Sequence, residues 1–175
     1  INNSDIEVNL KNNSTKYLKK TNNPWNVKII DTGEDTMTGG RLKIIEKYLN
    51  DTFFLTYGDG LSSINIKDTL KFHKKHKKIL TMSVIKQPGR YGSVKLIKNN
   101  VVEKFTEKPF GENGWINGGF FVMNKDIIKY INGNVVLEKD PFEKLAKKKE
   151  VVSYKHNGFW YAMDSLRDKI FLENE

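Results

Sequence analysis

One acidic residue occurs in a setting that favours cation or phosphate chemistry. Asp59 lies between two glycines in the segment Tyr57-Gly58-Asp59-Gly60, directly after the apolar run at 53–55. In an open α/β sheet, side chains at the carboxyl ends of strands face the ligand crevice, and glycines allow sharp turns and close approach of a ligand. A carboxylate there can bind a hard cation such as Mg²⁺, although Asp-Gly is also a common turn dipeptide.

A second carboxylate, Asp164, follows the mostly apolar stretch 159–163 and precedes Ser165. Asp164 is either the N-cap of a terminal helix or the partner of Asp59 on a neighbouring strand end. Two carboxylates, with substrate phosphates completing the shell, are a usual way for a protein to bind Mg²⁺. The pair predicts a metal site if the fold brings these two strand ends together.

A third segment, residues 31–41, contains several hydroxyl groups and ends in Gly39-Gly40-Arg41. Because it leads into a helix, it can offer backbone N–H groups and a guanidinium to a phosphate or a base edge. It is not a Walker A loop, since no Gly-Lys-Ser/Thr follows, and an ordinary N-capped helix is the alternative.

The fourth segment is Glu107-Lys108-Pro109, at the end of a predicted strand. A glutamate can accept hydrogen bonds from sugar hydroxyls, and a lysine can hold a phosphate as a point charge. A surface ion pair before a proline would have the same sequence, so this segment alone is a weak indication of a binding site.

Apolar periodicity predicts the elements that position these residues. Residues 6–10 alternate as a half-buried strand would, and 27–30 predict a more buried one. The remaining predicted strands are 53–57, 79–85, 91–97, 101–105, 117–123, 151–154 and 159–163, and the predicted helices are 40–49, 66–77, 125–131, 141–149 and one from Ser165. This order indicates an α/β fold with a mixed, mostly parallel sheet and an antiparallel extension, forming one domain over residues 1–175.

Composition limits the classes of function. The chain has 175 residues, 38% of them hydrophobic, and no cysteine, which excludes disulfides and thiolate metal sites. No apolar stretch approaches the roughly 20 residues that cross a bilayer, so we expect a cytoplasmic protein without a membrane partner. The net charge of +9 comes mostly from dispersed lysines without interleaved aromatics, which favours a solvated surface over a nucleic-acid site.

The histidines are too few and too scattered for a metal site. His73 and His76 lie three residues apart on a predicted helix, whereas His156 is distant in sequence. Nothing supplies a third ligand at metal-binding spacing, so surface histidines are predicted. No arrangement of a nucleophile with its activating base is indicated either.

Taken in order, six stretches resemble the sugar-phosphate nucleotidyltransferases over nearly the whole chain. Residues 36–41 point to the cytidylyltransferase branch of that family. The resemblance implies a Rossmann-like nucleotidyltransferase fold and transfer of a cytidylyl group from CTP to α-D-glucose 1-phosphate, giving CDP-glucose and pyrophosphate. The stretches are 25–41, 57–60, 88–92, 105–109, 116–121 and 159–167.

The resemblance also implies roles for individual residues. Asp59 and Asp164 would bind Mg²⁺ beside the nucleotide α-phosphate, and Lys108 would hold the sugar phosphate. The sugar would contact Gly92, Glu107 and Asn117, and the nucleotide would approach Gly39, Gly40 and Arg41. No protein nucleophile is needed in such a reaction, which agrees with the residue types present.

One departure from the family pattern carries a further expectation. The family begins with a Gly-Gly-X-Gly-Thr-Arg-Leu loop and a Pro-Lys-Pro lysine, and neither occurs in this sequence. We expect the chain to be the carboxyl-terminal portion of a longer enzyme, with little activity alone, and by resemblance a homo-oligomer. Two alternatives stay open: a noncatalytic nucleotide-binding or sugar-phosphate-binding module, and a lysine-rich nucleic-acid binder.

Overall fold

The computed structural model describes residues 6–18, 26–86, 93–96, 102–106 and 114–174. The predicted segments 88–92 and 107–109 lie outside these residues. Contacts group the chain into two compact units, Ile1–Asp31 and Thr32–Glu175. Within the described ranges, no helix is both long and apolar enough to cross a membrane.

The first unit contains an antiparallel hairpin of β1 (Ile6–Asn9) and β2 (Ser14–Tyr17). The predicted strand at 6–10 is confirmed, but its predicted half-burial is wrong, because Val8 and Leu10 are 51% and 84% exposed. The predicted strand at 27–30 is wrong as well. Those residues have no regular structure and Ile29 is 82% exposed, because an apolar run becomes a strand only when a neighbouring strand pairs with it.

The second unit follows the predicted order of elements closely. The short strand β4 was not predicted, since three residues after a turn carry little periodic signal. Short 3₁₀ helices span Glu46–Tyr48 and Lys125–Tyr130. The strands are β3 (Thr52–Thr56), β4 (Gly60–Ser62), β5 (Leu80–Ile85), β6 (Ser93–Leu96), β7 (Val102–Thr106), β8 (Ile116–Asn124), β9 (Val151–His156) and β10 (Trp160–Ala162), and the helices are α1 (Thr38–Ile44), α2 (Ile66–His76), α3 (Asp140–Lys147) and α4 (Leu166–Glu173).

The central sheet has the strand order β3-β8-β5-β9. Strand β8 is antiparallel to both β3 and β5, and β5 is parallel to β9. Strands β3, β5 and β9 therefore run in one direction, with their carboxyl ends at one edge. This confirms the predicted mixed sheet. The antiparallel pair of β6 with β7 corresponds to the predicted extension, and a second antiparallel pair joins β10 to the unpredicted β4.

Alternate side chains of β5 face different layers, as the strand period of two requires. Leu80 belongs to the main core, where Phe121 packs edge-on against Phe142 with ring centroids 5.3 Å apart. This core joins the sheet to α1, α3 and the 3₁₀ helix after β8. Its buried members are Leu42, Leu80, Phe121, Met123, Ile127, Ile128, Ile131, Leu137, Phe142 and Leu145.

The other side of β5 contacts α2 through a buried polar cluster. His73 is only 4% exposed and Thr81 is fully buried, so the prediction of surface histidines is wrong for His73. The Thr81 hydroxyl lies 2.8 Å from His73 Nδ1 and 2.7 Å from His76 Nε2. The sequence showed the three-residue spacing but not which face of α2 packs on the sheet.

The hydrogen bonds fix the tautomer of His76. The Lys78 amide donates to His76 Nδ1 over 2.9 Å, so His76 carries its proton on Nε2 and donates to the Thr81 hydroxyl. That hydroxyl has a second acceptor site as well as its own proton, so it can pair with His73 Nδ1 in either tautomer of His73. Burial, helped by the nearby His76, lowers the pKa of His73 to about 4. Burial lowers the pKa of His76 as well.

We predict that acid destabilises the fold through this cluster. Unfolded His73 has a pKa of 6.5 and folded His73 about 4, so the unfolded state binds the extra proton between these values. The contribution of neutral His73 to the free energy of unfolding is complete above pH 6.5. It declines as the pH falls towards 4, by about 3 kcal/mol in total. Urea unfolding at several pH values measures how the free energy of unfolding depends on pH. His73→Leu should make this dependence weaker. The same pH dependence in parent and variant would show that His73 is not its source.

The start of α1 is packed too closely to accept a side chain at one position. The Gly39 amide donates to the Val135 carbonyl over 2.9 Å, and a Cβ at Gly39 would lie 2.7 Å from that same oxygen. Gly58, by contrast, has no atom of the described residues within 4 Å of its virtual Cβ. These two glycines form a matched pair that separates packing from backbone freedom.

We therefore expect Gly39→Ala to lower the free energy of unfolding by about 1–3 kcal/mol, because the backbone at Val135 must move. Gly58→Ala should be neutral or slightly stabilising, because it restricts the unfolded chain without a clash. Chemical denaturation of both variants measures the difference. Equal free energies of unfolding for the two variants would contradict this prediction, because the backbone at 134–135 would then have moved without loss of stability.

Candidate active site

The candidate site lies at the sheet edge where three strands end. Strand β3 ends at Thr56, β5 at Ile85 and β9 at His156, and the antiparallel β8 begins there at Ile116. Asp59 follows β3 by three residues and is exposed. The edge has the location at which open α/β sheets bind ligands.

The short β4–β10 ribbon brings together the two chain segments that carry the predicted carboxylates. Gly60 pairs with Ala162, and the Met163 amide donates to the Asp59 carbonyl over 2.8 Å. Asp164 is thus one residue beyond the direct neighbour of Asp59, although 105 positions separate the two in sequence (164 − 59). The two segments are therefore neighbours in the fold, and the metal pair itself stays a prediction.

Asp164 is not the N-cap of α4. That position belongs to Ser165, whose hydroxyl accepts from the Asp168 amide over 3.3 Å and donates to the Asp168 carboxylate over 2.7 Å. The Tyr161 hydroxyl donates to the same carboxylate over 3.0 Å. These bonds, that from Ser165 first, lower the pKa of Asp168. The capping alternative for Asp164 is therefore wrong.

Asn117 stands beside a bulge in β8. Strand β5 pairs with β8 at Met82 and again at Val84, but the partners are Phe121 and Asn117, so β8 carries two extra residues between these pairs. The Asn117 side-chain oxygen accepts from the Gly119 amide over 2.9 Å, and Gly119 has φ +74°. Such bulges often aim residues at a functional edge.

The bulge also joins the sheet to the ribbon. The Trp160 indole N–H donates to the Gly118 carbonyl over 2.7 Å, and a Cβ at Gly119 would approach Tyr57 Cδ2 to 3.2 Å. Sequence reasoning did not assign a role to these contacts; the only signal for them was the Gly118-Gly119 pair.

Neither Gly58 nor Gly60 has a positive φ, so the turn around Asp59 does not require glycine for its conformation.

The predicted nucleotide segment is held by contacts among its own residues and with residues 134–135. The Arg41 guanidinium donates to the Thr32 hydroxyl over 2.6 Å and to the Glu34 carbonyl over 2.9 Å. The Met37 amide donates to the Asn134 side chain over 2.6 Å. Gly39 and Gly40 are buried against residues 134–135. Arg41 thus acts within the loop, and its predicted contact with a nucleotide stays a prediction.

A further cationic feature at the sheet edge escaped sequence reasoning. Lys86 and Lys155 place their ammonium groups 5.2 and 5.3 Å from the ring centroid of Trp115. These residues come from the end of β5, from β9 and from just before β8. Only the sheet register brings them together, so no local motif predicts the arrangement.

A surface hollow at the opposite end of the sheet has mixed charge, and its lysines are already engaged. Lys43 donates to the Ile131 carbonyl, Lys125 to the Leu49 carbonyl, and Lys129 pairs with Asp126 at 2.7 Å. Each of the three lysines therefore has a structural role in the protein. The hollow is therefore not the candidate active site.

The donor set at the ribbon fits a cation that also binds ligand oxygens. Asp59 and Asp164 supply two exposed carboxylates, and within the described ranges no group of three or more His, Cys, Asp or Glu side chains could hold a metal. Two carboxylates with several open positions suit Mg²⁺, which retains water and binds substrate phosphates. Gly92, Glu107 and Lys108 lie outside the described residues.

Comparisons with known proteins agree with this geometry. The sequence pattern of the family described as nucleotidyl transferase matches residues 6–164. Glucose-1-phosphate cytidylyltransferase of Salmonella typhimurium is 42% identical over 173 residues, covering 97% of this chain and 67% of the relative. Mannose-1-phosphate guanyltransferase of Saccharomyces cerevisiae is 32% identical over 168 residues, covering 89% and 45%.

Solved structures support the fold independently. A UDP-glucose pyrophosphorylase in complex with UDP-glucose superposes with a TM-score of 0.57 at 15% identity, covering 83% of this chain and 66% of that one. At this identity the likeness bears on the fold alone. With a family match across most of its length and a cytidylyltransferase relative at 42% identity, this chain belongs to the nucleotidyl transferase family.

Proposed function

We propose that the protein transfers a cytidylyl group from CTP to α-D-glucose 1-phosphate, giving CDP-glucose and pyrophosphate. The observation that carries the proposal is the 42% identity to the Salmonella glucose-1-phosphate cytidylyltransferase over 97% of this chain. Guanyltransferase relatives of the family match at lower identity, which favours the cytidylyl branch. The chain spans 67% of the length of the Salmonella relative, so the activity is proposed for the whole enzyme.

In the proposed reaction, a phosphate oxygen of glucose 1-phosphate attacks the α-phosphorus of CTP in line, and pyrophosphate leaves. Positioning and charge neutralisation supply the catalysis, so no covalent intermediate on the protein is needed. Asn117, beside the β8 bulge, would contact the sugar together with Gly92 and Glu107. Lys108 would hold the sugar phosphate as a point charge.

The proposed cofactor is Mg²⁺, held by Asp59 and Asp164. When bound, it would neutralise charge on the α-phosphate and align the reacting oxygens. The supporting observation is the backbone pairing that brings the segments carrying Asp59 and Asp164 together. Arg41 would act indirectly, by shaping the 32–41 loop whose glycines the nucleotide approaches.

The alternative is a noncatalytic module that binds a nucleotide or sugar phosphate. It predicts binding of CTP or glucose 1-phosphate without release of pyrophosphate. A nucleic-acid role would instead show affinity that falls steeply with salt and ignores Mg²⁺. A cytoplasmic location and a homo-oligomeric assembly are further parts of the proposal, and gel filtration tests the second.

Substitution of either carboxylate tests the mechanism. In a chimera in which residues 1–175 replace the matched part of the Salmonella relative, Asp59→Asn or Asp164→Asn should lower kcat about 100-fold or more, because Mg²⁺ and its charge neutralisation are lost. The measurement is Mg²⁺-dependent pyrophosphate release from CTP and glucose 1-phosphate.

Asp126→Asn is the matched control, since this exposed aspartate pairs with Lys129 at the opposite end of the sheet. It should leave turnover unchanged. Turnover of the Asp59 and Asp164 variants at the control rate would overturn the metal pair. A folded parent chimera that binds CTP yet releases no pyrophosphate would favour the noncatalytic module.

A further inference from the structure

The turn between β9 and β10 is held by several hydrogen bonds to one carbonyl. The Phe159 carbonyl accepts from the Ser63 amide over 3.0 Å, from the Ser62 hydroxyl over 3.1 Å and from His156 Nε2 over 3.0 Å. The Ser63 hydroxyl also lies within 3.4 Å of this oxygen. The turn is thereby joined to β4 on one side and to the end of β9 on the other.

His156 can act here only as a donor. A carbonyl oxygen has no proton to give, so the hydrogen must be on Nε2 of His156. The contact therefore joins the end of β9 directly to the turn.

A side chain at Gly158 would collide with the groups that make this bond. A Cβ at Gly158 would lie 2.7 Å from His156 Cε1 and 2.7 Å from Ser63 Oγ. Gly158 does not have a positive φ, so close packing rather than backbone conformation favours glycine at this position. Ring, turn and β4 are thus in direct contact.

The bond lies between the rigid sheet and the candidate site. His156 ends β9, where it pairs with Ile85 in the central sheet. Phe159 immediately precedes β10, whose pairing with β4 leads to the Met163–Asp59 hydrogen bond and then to Asp164. A ribbon of three-residue strands is marginal by itself, so its register depends on such side-chain anchors.

We propose that His156 is a positioning residue for the carboxylate pair: its Nε2–H fixes the Phe159 carbonyl and so keeps Asp164 beside Asp59 for binding a divalent cation. The inference rests on the proposed function, because that function assigns the cation to these carboxylates. His156 itself contacts neither the cation nor the substrates in this role.

The test compares His156→Leu with His156→Gln in the 175-residue chain. Binding of Mn²⁺ alone is followed by loss of the free-ion EPR signal. His156→Leu removes the donor and should raise the Mn²⁺ dissociation constant about tenfold. The Gln side chain has an N–H that can reach the same carbonyl, so His156→Gln should stay within about threefold of the parent.

Two further variants keep the result interpretable. Asp126→Asn, at the opposite end of the sheet, changes an exposed aspartate far from the turn and should bind Mn²⁺ as the parent does. If His156→Leu fails to fold by circular dichroism, Gly158→Ala replaces it, since its Cβ would push His156 away from Ser63. Gly158→Ala should weaken Mn²⁺ binding to a similar extent.

The outcomes separate the two proposals. Loss of Mn²⁺ binding in Asp59→Asn and Asp164→Asn, with weakened binding in His156→Leu and rescue by Gln, supports both. If the aspartate variants lose binding but folded His156→Leu and Gly158→Ala bind as the parent does, the positioning role is overturned and the metal pair stands. If the parent chain does not bind Mn²⁺, or if the aspartate variants bind it as the parent does, the metal pair and the positioning role of His156 are both overturned.

Discussion

The hydrogen bond from the Met163 amide to the Asp59 carbonyl is the contact on which the candidate site depends. It extends the β4–β10 pairing by one residue and makes neighbours of two segments that the chain separates widely. The segments that carry the proposed metal ligands are therefore held next to each other by backbone pairing.

The ribbon is too short to define its own geometry and relies on the central sheet. Trp160 connects it to the bulge in β8 through the Gly118 carbonyl, and His156 connects it to the end of β9 through the Phe159 carbonyl. These two hydrogen bonds link the ribbon to two different strands of the central sheet. Because β8 is antiparallel and lies between β3 and β5, its start shares an edge with the ends of both, which places the bulge within reach of the ribbon.

Glycine serves different purposes along this chain, and only contacts distinguish them. Gly39 and Gly118 lie where a side chain would press on a backbone oxygen, and Gly119 adopts a positive φ in the bulge. Gly58 meets neither condition, so the packing of the described residues does not explain its presence beside Asp59. Space beside a carboxylate at a ligand edge is consistent with a bulky partner such as a phosphate.

The amino-acid sequence by itself determined most of the local structure and the class of the fold. Helix and strand periodicity are carried by neighbouring residues, so the elements from α1 to α4 other than the short strand β4 were predictable, and the motifs around Asp59 and Asp164 indicated the family. The run at 27–30, the burial of His73 and the capping of α4 by Ser165 were predicted wrongly or left open. Each depends on which distant segment, or which face of an element, becomes the neighbour. Only the tertiary structure decided that Asp59 meets Asp164 and that Arg41 holds its own loop, because strand register and helix docking are set by packing across the whole domain.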